Sequence, residues 1–213
     1  MTPEQQKFYD IKHTKDYKVV GLDVEYKVIT DDQKKEVVLQ FEETDSNTDW
    51  VNNFLFFPWP VKLGGKTAWT TYGYARAYKS TEGVPMQEFV NAVLHNPGYK
   101  VAIRGWSFGS AMAKLAARHF CNITNKDAVL DELTTYGDVK CWLNPFFSLK
   151  DRCGTIREYK NINDFVTWCV PFYWRDVSTR VGGKFRLKDI LNTPWFHANY
   201  ETYDYTEYEE APQ

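Results

Sequence analysis

One short segment of the sequence has the residue types and spacing of a serine nucleophile. Gly105-Trp106-Ser107-Phe108-Gly109 places a serine between two glycines, each two residues away. A serine hydroxyl is a weak nucleophile, so an enzyme must hold it beside a base and beside donors for an oxyanion. Glycines at these positions let a strand end and a helix start approach each other, and the helix N-terminus directs backbone N–H groups at the developing charge. Ser107 is therefore a candidate nucleophile and the Phe108 N–H a candidate oxyanion donor; the alternative is a purely structural turn.

The elements around this segment must position it. Residues 99–104 are partly β-branched and bounded by turn residues, which predicts a strand, and residues 111–120 return to helical spacing. Similar patterns predict strands at 20–28, 36–41, 133–136 and 155–159 and a helix at 85–95. Strands that alternate with helices predict an α/β fold whose central sheet is mostly parallel, with helices on both faces.

Length and local composition predict the domain organisation. A chain of 213 residues is expected to form a single domain over residues 1–213. Residues 201–210 combine tyrosine with acidic residues and contain no lysine or arginine. We therefore expect residues 201–213 to form a peripheral tail.

Charge and composition exclude several classes of partner. The formal charge of −2 and the pI near 6.1 give no strong field for phosphate backbones, so nucleic acid is not expected as a partner. No segment approaches ~18 uninterrupted apolar residues. Residues 1–25 also lack the apolar run of a secretory signal. No transmembrane segment and a cytoplasmic location are therefore expected. The four cysteines include no Cys-x-x-Cys pair, so the spacing of a zinc site is absent.

Several blocks, in order, resemble those of the class 3 lipases. The segment 101–113 is similar to that family's Gly-His-Ser-Leu-Gly-Gly-Ala-Leu-Ala block. Further blocks resemble the strand ending in Phe-Arg-Gly-Thr at 38–45 with Asp-Trp at 49–50, Val-His-x-Gly-Phe at 70–74, Thr-Phe-Gly at 135–137, Asn-x-Asn-Asp-x-Val at 161–166 and His-x-x-Tyr at 197–200. The resemblance covers residues 36–200 and implies an α/β-hydrolase fold.

The resemblance also implies a catalytic triad of Ser107, Asp164 and His197, in the chain order that an α/β-hydrolase requires. The positions of the histidines agree, because a base must lie within reach of the serine. His13 precedes the core of the fold, His95 lies at a helix end next to Asn96-Pro97, and His119 is about 18 Å along the elbow helix at roughly 1.5 Å per residue. The alternative for His197 is a surface-loop histidine. The other aspartates considered are expected to be solvated turn or loop charges: Asp138, Asp151, Asp176 and Asp189.

The second oxyanion donor is implied by the resemblance alone. Thr44 matches the threonine of Phe-Arg-Gly-Thr, and its hydroxyl and N–H are suitable donors. The two preceding positions depart from the family pattern, because Glu42 and Glu43 replace its arginine and glycine. Anionic side chains near a site for negative charge would slow the enzyme, change the loop path or favour a cationic substrate.

Aromatic residues are candidates for substrate binding. Residues 50–63 are dense in Trp, Phe and Leu and too rich in proline for a regular element, which fits either a lid or pocket wall or a core-packing excursion. Within it we select Phe56 and Trp59. Trp106, which replaces the histidine of the family's elbow, is the third candidate.

The expected reaction is hydrolysis of a carboxylic ester through an acyl-enzyme on Ser107, with no metal or organic cofactor. The substrate is expected to be a lipid or small-molecule ester, with transient contact to a lipid surface. Two alternatives remain open. One is an amidase or peptidase on the same scaffold, and the other is a catalytically weak or silent hydrolase fold that acts as a binding module.

Overall fold

The computed structural model describes residues 1–42, 57–124, 128–142, 149, 152–161, 163–168, 179–181, 197–203, 205 and 209–210. The strands are β1 (Lys18–Val20), β2 (Val24–Asp31), β3 (Glu36–Phe41), β4 (Pro58–Leu63), β5 (Lys66–Thr71), β6 (Lys100–Trp106), β7 (Leu130–Tyr136), β8 (Cys153–Asn161), β9 (Thr179–Val181) and β10 (Glu209–Glu210). The helices are α1 (Pro3–His13), α2 (Tyr72–Ser80), α3 (Val84–His95) and α4 (Phe108–Ile123), with 3-10 turns at Phe165–Trp168 and Tyr200–Thr202.

Eight strands form the central sheet, in the order β1-β2-β3-β6-β7-β8-β9-β10. Strands β3, β6, β7, β8 and β9 run parallel, and the pairs β1–β2, β2–β3 and β9–β10 are antiparallel. The register places Phe41 opposite Gly105, and Trp106 opposite Tyr136. The carboxyl ends of the parallel strands therefore meet at one edge of the sheet, where ligand sites of open α/β sheets form.

Strand β6 is buried on both faces, as parallel strands between helix layers are. Val101 and Ile103 point into the core that includes α4, whereas Trp106 belongs to a second core with α1 on the other face. Side chains alternate between faces along a strand, so Arg104 lies on the α1 face with Trp106. The predicted mostly parallel sheet with helices on both faces is thus observed.

Helix α1 was not predicted from the pattern of apolar residues. Its N-terminus has a capping box, in which the Thr2 side chain accepts from the Gln5 N–H and the Gln5 side chain accepts from the Thr2 N–H. Pro3 occupies the first turn, where a missing N–H is tolerated. Phe8 and Ile11 are fully buried against the sheet, so α1 covers the face that carries Trp106. Within the described residues, no helix is long and apolar enough to cross a membrane.

Prolines do not prevent regular structure at residues 58–63. Pro58 and Pro60 lie in β4, which pairs with β5 as a separate two-stranded sheet, so the expectation of an irregular segment is wrong there. Each strand of a two-stranded sheet has one outer edge, and a proline on that edge removes no ladder hydrogen bond. Val61 and Leu63 point into the core, and residues 50–56 lie outside the described residues.

The expected peripheral tail at 201–213 is wrong for its described aromatic residues. Tyr203 and Tyr205 are buried in the core between the sheet and α1. The ring of Tyr205 packs edge-on against Tyr159 of β8, at 4.7 Å between centroids. β10 also pairs with β9 and so extends the sheet. These two tyrosines are core residues. The acidic residues around them in the sequence led to the expectation of an exposed tail.

A network of ion pairs lies on the α1 face of the sheet. The carboxylate of Glu132 is 2.8 Å from Lys7 Nζ and 2.7 Å from Lys100 Nζ. Arg104 donates to both oxygens of Glu36, at 2.8 and 2.9 Å. Burial by itself raises the pKa of Glu132, but hydrogen bonds from the two lysines outweigh it and lower that pKa to about 2. The network joins α1 to strands β3, β6 and β7.

Truncation of Phe8 tests the contribution of α1. Phe8 is fully buried, so Phe8→Ala is expected to lower the free energy of unfolding by about 3–5 kcal/mol, through lost burial and a cavity. Urea unfolding measures this change. Tyr9→Ala on the exposed side of α1 is the control and should change stability by no more than about 0.5 kcal/mol. Equal losses in both variants would contradict the packing described.

The low pKa of Glu132 predicts a specific acid sensitivity. Its ordinary value is 4.5 and its value in the folded chain is about 2, so its stabilising contribution is complete above pH 4.5 and is lost as the pH falls toward 2. The stability advantage of wild type over Glu132→Gln should therefore shrink by about 3 kcal/mol across this window. Urea unfolding of both proteins as a function of pH measures it. A pH-independent difference would be contrary to this assignment.

Candidate active site

Ser107 lies in a tight turn between β6 and α4. Its backbone has φ 56° and ψ −122°, a conformation that is strained for any residue with a side chain. A Cβ on Gly105 would lie 2.2 Å from the Gly109 carbonyl oxygen, and a Cβ on Gly109 would lie 2.6 Å from that of Glu42. Only glycine fits at either position. The predicted strand, turn and helix are confirmed, and they place Ser107 at the carboxyl end of the central strand.

His197 and Asp164 form a buried pair. His197 Nδ1 lies 2.7 Å from Asp164 Oδ2, and the two residues are 4% and 0% exposed. The backbone N–H of Val166 donates to the other carboxylate oxygen at 3.1 Å. Because Nδ1–H donates to this carboxylate, the imidazole has the tautomer in which Nε2 can accept a proton. The structure thus brings together two of the three residues that the resemblance implied for a triad.

The segment of Tyr136 and Gly137 borders both Ser107 and His197. The Ser107 N–H donates to the Tyr136 carbonyl at 2.9 Å. Gly137 has φ 53°, and a Cβ there would lie 2.8 Å from His197 Cε1. Its missing side chain therefore makes room for the imidazole. Sequence reasoning identified this glycine only as part of a Thr-Phe-Gly-like block and gave it no role.

Trp106 supports His197 from the α1 side. The indole N–H donates to the His197 carbonyl at 3.0 Å, and the two rings lie 5.9 Å apart at 34°. The indole also packs edge-on against the ring of Phe8, at 5.4 Å. Trp106 is only 6% exposed. Its observed contacts are with the protein, and the predicted contact with substrate stays a prediction.

Tyr200 is a member of the site to which sequence reasoning gave no role. Its hydroxyl donates to Asp164 Oδ2 at 3.0 Å and accepts from the Asn161 N–H at 2.8 Å. Burial, followed by the negative charge of Asp164, raises the pKa of Tyr200 well above its ordinary value, so the hydroxyl remains a donor. The spacing His-x-x-Tyr, from His197, was the available signal.

The residues proposed around the oxyanion are only partly described. Phe108 is the first residue of α4, so its N–H belongs to the first turn, where no carbonyl of the same helix accepts it. Glu43 and Thr44 lie outside the described residues.

The Glu42 N–H donates to the Glu25 carbonyl at 3.3 Å and so continues the pairing of β3 with β2. Side-chain alternation therefore puts position 42 on the face of Gln40, whose amide donates to the Tyr17 hydroxyl. Burial and, to a smaller degree, the charge of Glu42 raise the pKa of Tyr17.

The aromatic candidates differ in position. Trp59 lies in β4, half exposed, with its ring edge-on to Tyr72 at 5.1 Å. Phe57 beside it is 70% exposed. Phe56 lies outside the described residues. The predicted substrate contacts of Trp59 and Phe56 stay predictions.

The remaining candidates for base and acid have other partners. His119 Nδ1 lies 2.9 Å from the Tyr78 hydroxyl, His95 Nδ1 bonds a carbonyl of its own helix, and the ring of His13 packs within α1. Asp138 was expected to be a solvated charge, which is wrong, because it is fully buried and paired with Lys114. Asp151, Asp176 and Asp189 lie outside the described residues. Over the ranges that the structure describes, no cluster of His, Cys, Asp or Glu is suited to hold a metal ion.

Comparison with known proteins gives a family and a set of structures. The family model described as lipase (class 3) matches residues 38–172. Similar solved structures are a fungal lipase in complex with an inhibitor (TM-score 0.64, 21% identity, 81% of this chain and 66% of that one), a triacylglycerol lipase from Penicillium expansum (0.68, 16%, 85% and 80%), and a triacylglycerol lipase whose catalytic centre is formed by a serine protease triad (0.62, 21%, 78% and 64%). No curated protein matches the sequence.

These similarities confirm the predicted fold class. At 16–21% identity they show the α/β-hydrolase fold and nothing finer. The chain spans less than two thirds of the length of two of the three lipases, at 66% and 64%. The activity of those longer proteins does not follow from the shared fold.

An alanine at position 137 tests the contact between Gly137 and the imidazole. Gly137→Ala is expected to displace His197 and to shift or abolish the downfield proton NMR resonance of its Nδ1–H. Gly98→Ala is the matched control, because Gly98 has φ 83° and its added Cβ meets no atom within 4 Å. Both variants carry the same backbone cost of about 1–2 kcal/mol. Only the Cβ at position 137 meets the imidazole, so only Gly137→Ala should change the resonance. An unchanged resonance in Gly137→Ala would contradict the contact.

Proposed function

Because this chain belongs to the class 3 lipase family, we propose that it hydrolyses carboxylic esters through an acyl-enzyme on Ser107. The observation that supports this most directly is the buried hydrogen bond between His197 and Asp164, at 2.7 Å. His197 and Ser107, which is held in a strained elbow, both border the segment of Tyr136 and Gly137. The three residues match the chain order of the triad in α/β-hydrolases.

The first half of the proposed reaction forms the acyl-enzyme. Ser107 Oγ attacks the ester carbonyl carbon while His197 Nε2 takes the hydroxyl proton. The carbonyl oxygen becomes an oxyanion, which the Phe108 N–H and, by family resemblance, Thr44 stabilise. Collapse of this intermediate breaks the bond to the alcohol oxygen, and the imidazolium returns the proton to the leaving alcohol. The acyl group then remains on Ser107.

The second half regenerates the serine. His197 removes a proton from water, which attacks the acyl carbonyl, and the second oxyanion uses the same donors. Its collapse releases the carboxylic acid and returns the proton to Ser107. Asp164 holds the imidazole by its Nδ1–H and stabilises the imidazolium in both halves. The Tyr200 hydroxyl and the Val166 N–H each donate a hydrogen bond to this carboxylate and so fix its orientation.

The substrate is proposed to be a lipid ester or another ester with an apolar acyl group. Two of the compared structures are described as triacylglycerol lipases. The exposed rings of Phe57 and Trp59 support a transient contact with a lipid surface, because exposed aromatic side chains are suited to a membrane–water interface. The cytoplasmic location expected from the sequence stays a prediction.

Labelling by a fluorophosphonate probe tests the proposed nucleophile. Wild type should be labelled, whereas Ser107→Ala and His197→Ala should lose labelling and lower kcat by about 10⁴-fold or more, because the triad acts as a unit. His95→Ala is the matched histidine control and should be labelled as wild type is. A chain-length series of p-nitrophenyl esters then gives the acyl preference.

The same experiment separates the alternatives. A folded wild type that is not labelled, even with detergent present, would reject the hydrolase and favour the silent binding module. Labelling that accompanies turnover of an anilide but not of esters would instead favour an amidase.

A further inference from the structure

A fully buried lysine lies on the elbow helix, and the proposed mechanism does not use it. Lys114 is two turns beyond Ser107 in α4 and is 0% exposed. Its Nζ lies 2.7 Å from Asp138 Oδ1 and 3.1 Å from Glu158 Oε1, and it donates to the Val139 carbonyl at 3.0 Å. Both carboxylates belong to side chains that are also fully buried.

The helix does not need this charge in order to pack. Most of the other buried positions of α4 are apolar, including Ala111, Leu115 and Ala117. A buried ion cluster is seldom more stable than apolar side chains of the same volume, because the charges lose their hydration. Burial by itself lowers the pKa of Lys114, but the charges of Asp138 and Glu158 outweigh it and hold that pKa above its ordinary value. The lysine therefore remains charged.

The first carboxylate leads to the histidine. Asp138 directly follows Gly137, whose backbone lies against the His197 ring. Asp138 is held further by the Thr135 hydroxyl, which donates to Oδ1 at 2.9 Å, and its own N–H donates to the Tyr159 carbonyl at 3.1 Å. Fixing Asp138 thus fixes the backbone on which the imidazole rests.

The second carboxylate leads to the acid. Glu158 lies on β8, three residues before the strand ends at Asn161. The Asn161 carbonyl accepts from the Asp164 N–H at 3.1 Å, and the Asn161 N–H donates to the Tyr200 hydroxyl that binds the Asp164 carboxylate. Glu158 lies within β8, and Asp164 is hydrogen-bonded to the last residue of that strand.

We propose that Lys114 is a positioning residue, whose ammonium group joins the helix that carries Ser107 to the two backbone segments that hold His197 and Asp164. The inference rests on the proposed function of the triad. Ser107, Asp164 and His197 come from separate parts of the chain, so their relative positions depend on contacts of this kind. A displacement of about 1 Å in such a site can cost about 100-fold in rate.

The test removes the charges together, so that no unpaired ion is left in the core. The variant Lys114→Met, Asp138→Asn, Glu158→Gln keeps side-chain size and neutralises the cluster. It should fold, while kcat and the rate of fluorophosphonate labelling fall by about 100-fold and KM changes little. The downfield Nδ1–H resonance of His197 should shift or broaden. Asp138→Asn alone should also lower kcat and the labelling rate and change the resonance, but by smaller amounts.

A second buried ion pair provides the matched control. Arg104 and Glu36 have side chains 9% and 8% exposed and join β6 to β3 on the α1 face. The variant Arg104→Met, Glu36→Gln should change the unfolding temperature, but its kcat should stay within about twofold of wild type. The resonance of His197 should also be unchanged.

Two outcomes would overturn the proposal. One is a folded neutral variant that is labelled at the wild-type rate and keeps the His197 resonance. The other is an equal loss of kcat in the control pair, which would make Lys114 one stabilising ion pair among several. If the neutral variant does not fold, Asp138→Asn decides by the same criteria. If wild type itself is not labelled, the proposed function fails, and the resonance alone decides whether Lys114 positions His197.

Discussion

The close approach of the end of β6 to the start of α4 is the constraint on which the rest of the structure depends. A Cβ on Gly105 would lie 2.2 Å from the Gly109 carbonyl oxygen and one on Gly109 would lie 2.6 Å from the Glu42 carbonyl oxygen, so the turn requires glycine at both positions. The turn forces Ser107 to φ 56°, which costs about 1–3 kcal/mol. Burial of α4 against three strands of the central sheet and against β4 offsets this cost. The strained conformation persists because the packing on both sides of it allows no other.

The second requirement is a partner for the serine, and it is met from the opposite face of the sheet. His197 belongs to a segment that α1 covers, and Lys12 of α1 bonds both the Ala198 carbonyl and, at 2.8 Å, the Glu201 carboxylate. Phe8 of the same helix packs on the ring of Tyr200. The N-terminal helix and the last described turn of the chain thus stabilise each other. The nucleophile lies on the α4 side of the sheet, and the segment that carries its histidine packs against α1.

Local features of the fold could be predicted from sequence, and features that depend on distant residues could not. Strand 36–41 and the elbow at Ser107 were predicted because hydrophobic pattern and glycine spacing determine them over a few residues. The predicted strand at 20–28 is a hairpin instead, since Gly21 and Asp23 take positive φ in its turn. The burial of Asp138 was missed because its partner, Lys114, is distant in sequence. Asp164 and His197 were predicted through a family resemblance, and their pairing required the structure.

The departures from the family pattern become understandable when each residue is assigned to a face of the sheet. The side chain at position 106 lies on the α1 face, as that of Arg104 does, and contacts the Phe8 ring and the His197 carbonyl. An indole supplies both an apolar ring and an N–H donor, which suits that environment. Position 42 falls on the same face by alternation from Gln40, whose amide donates to the Tyr17 hydroxyl. These two departures therefore lie on the face of the sheet that α1 and the histidine segment cover.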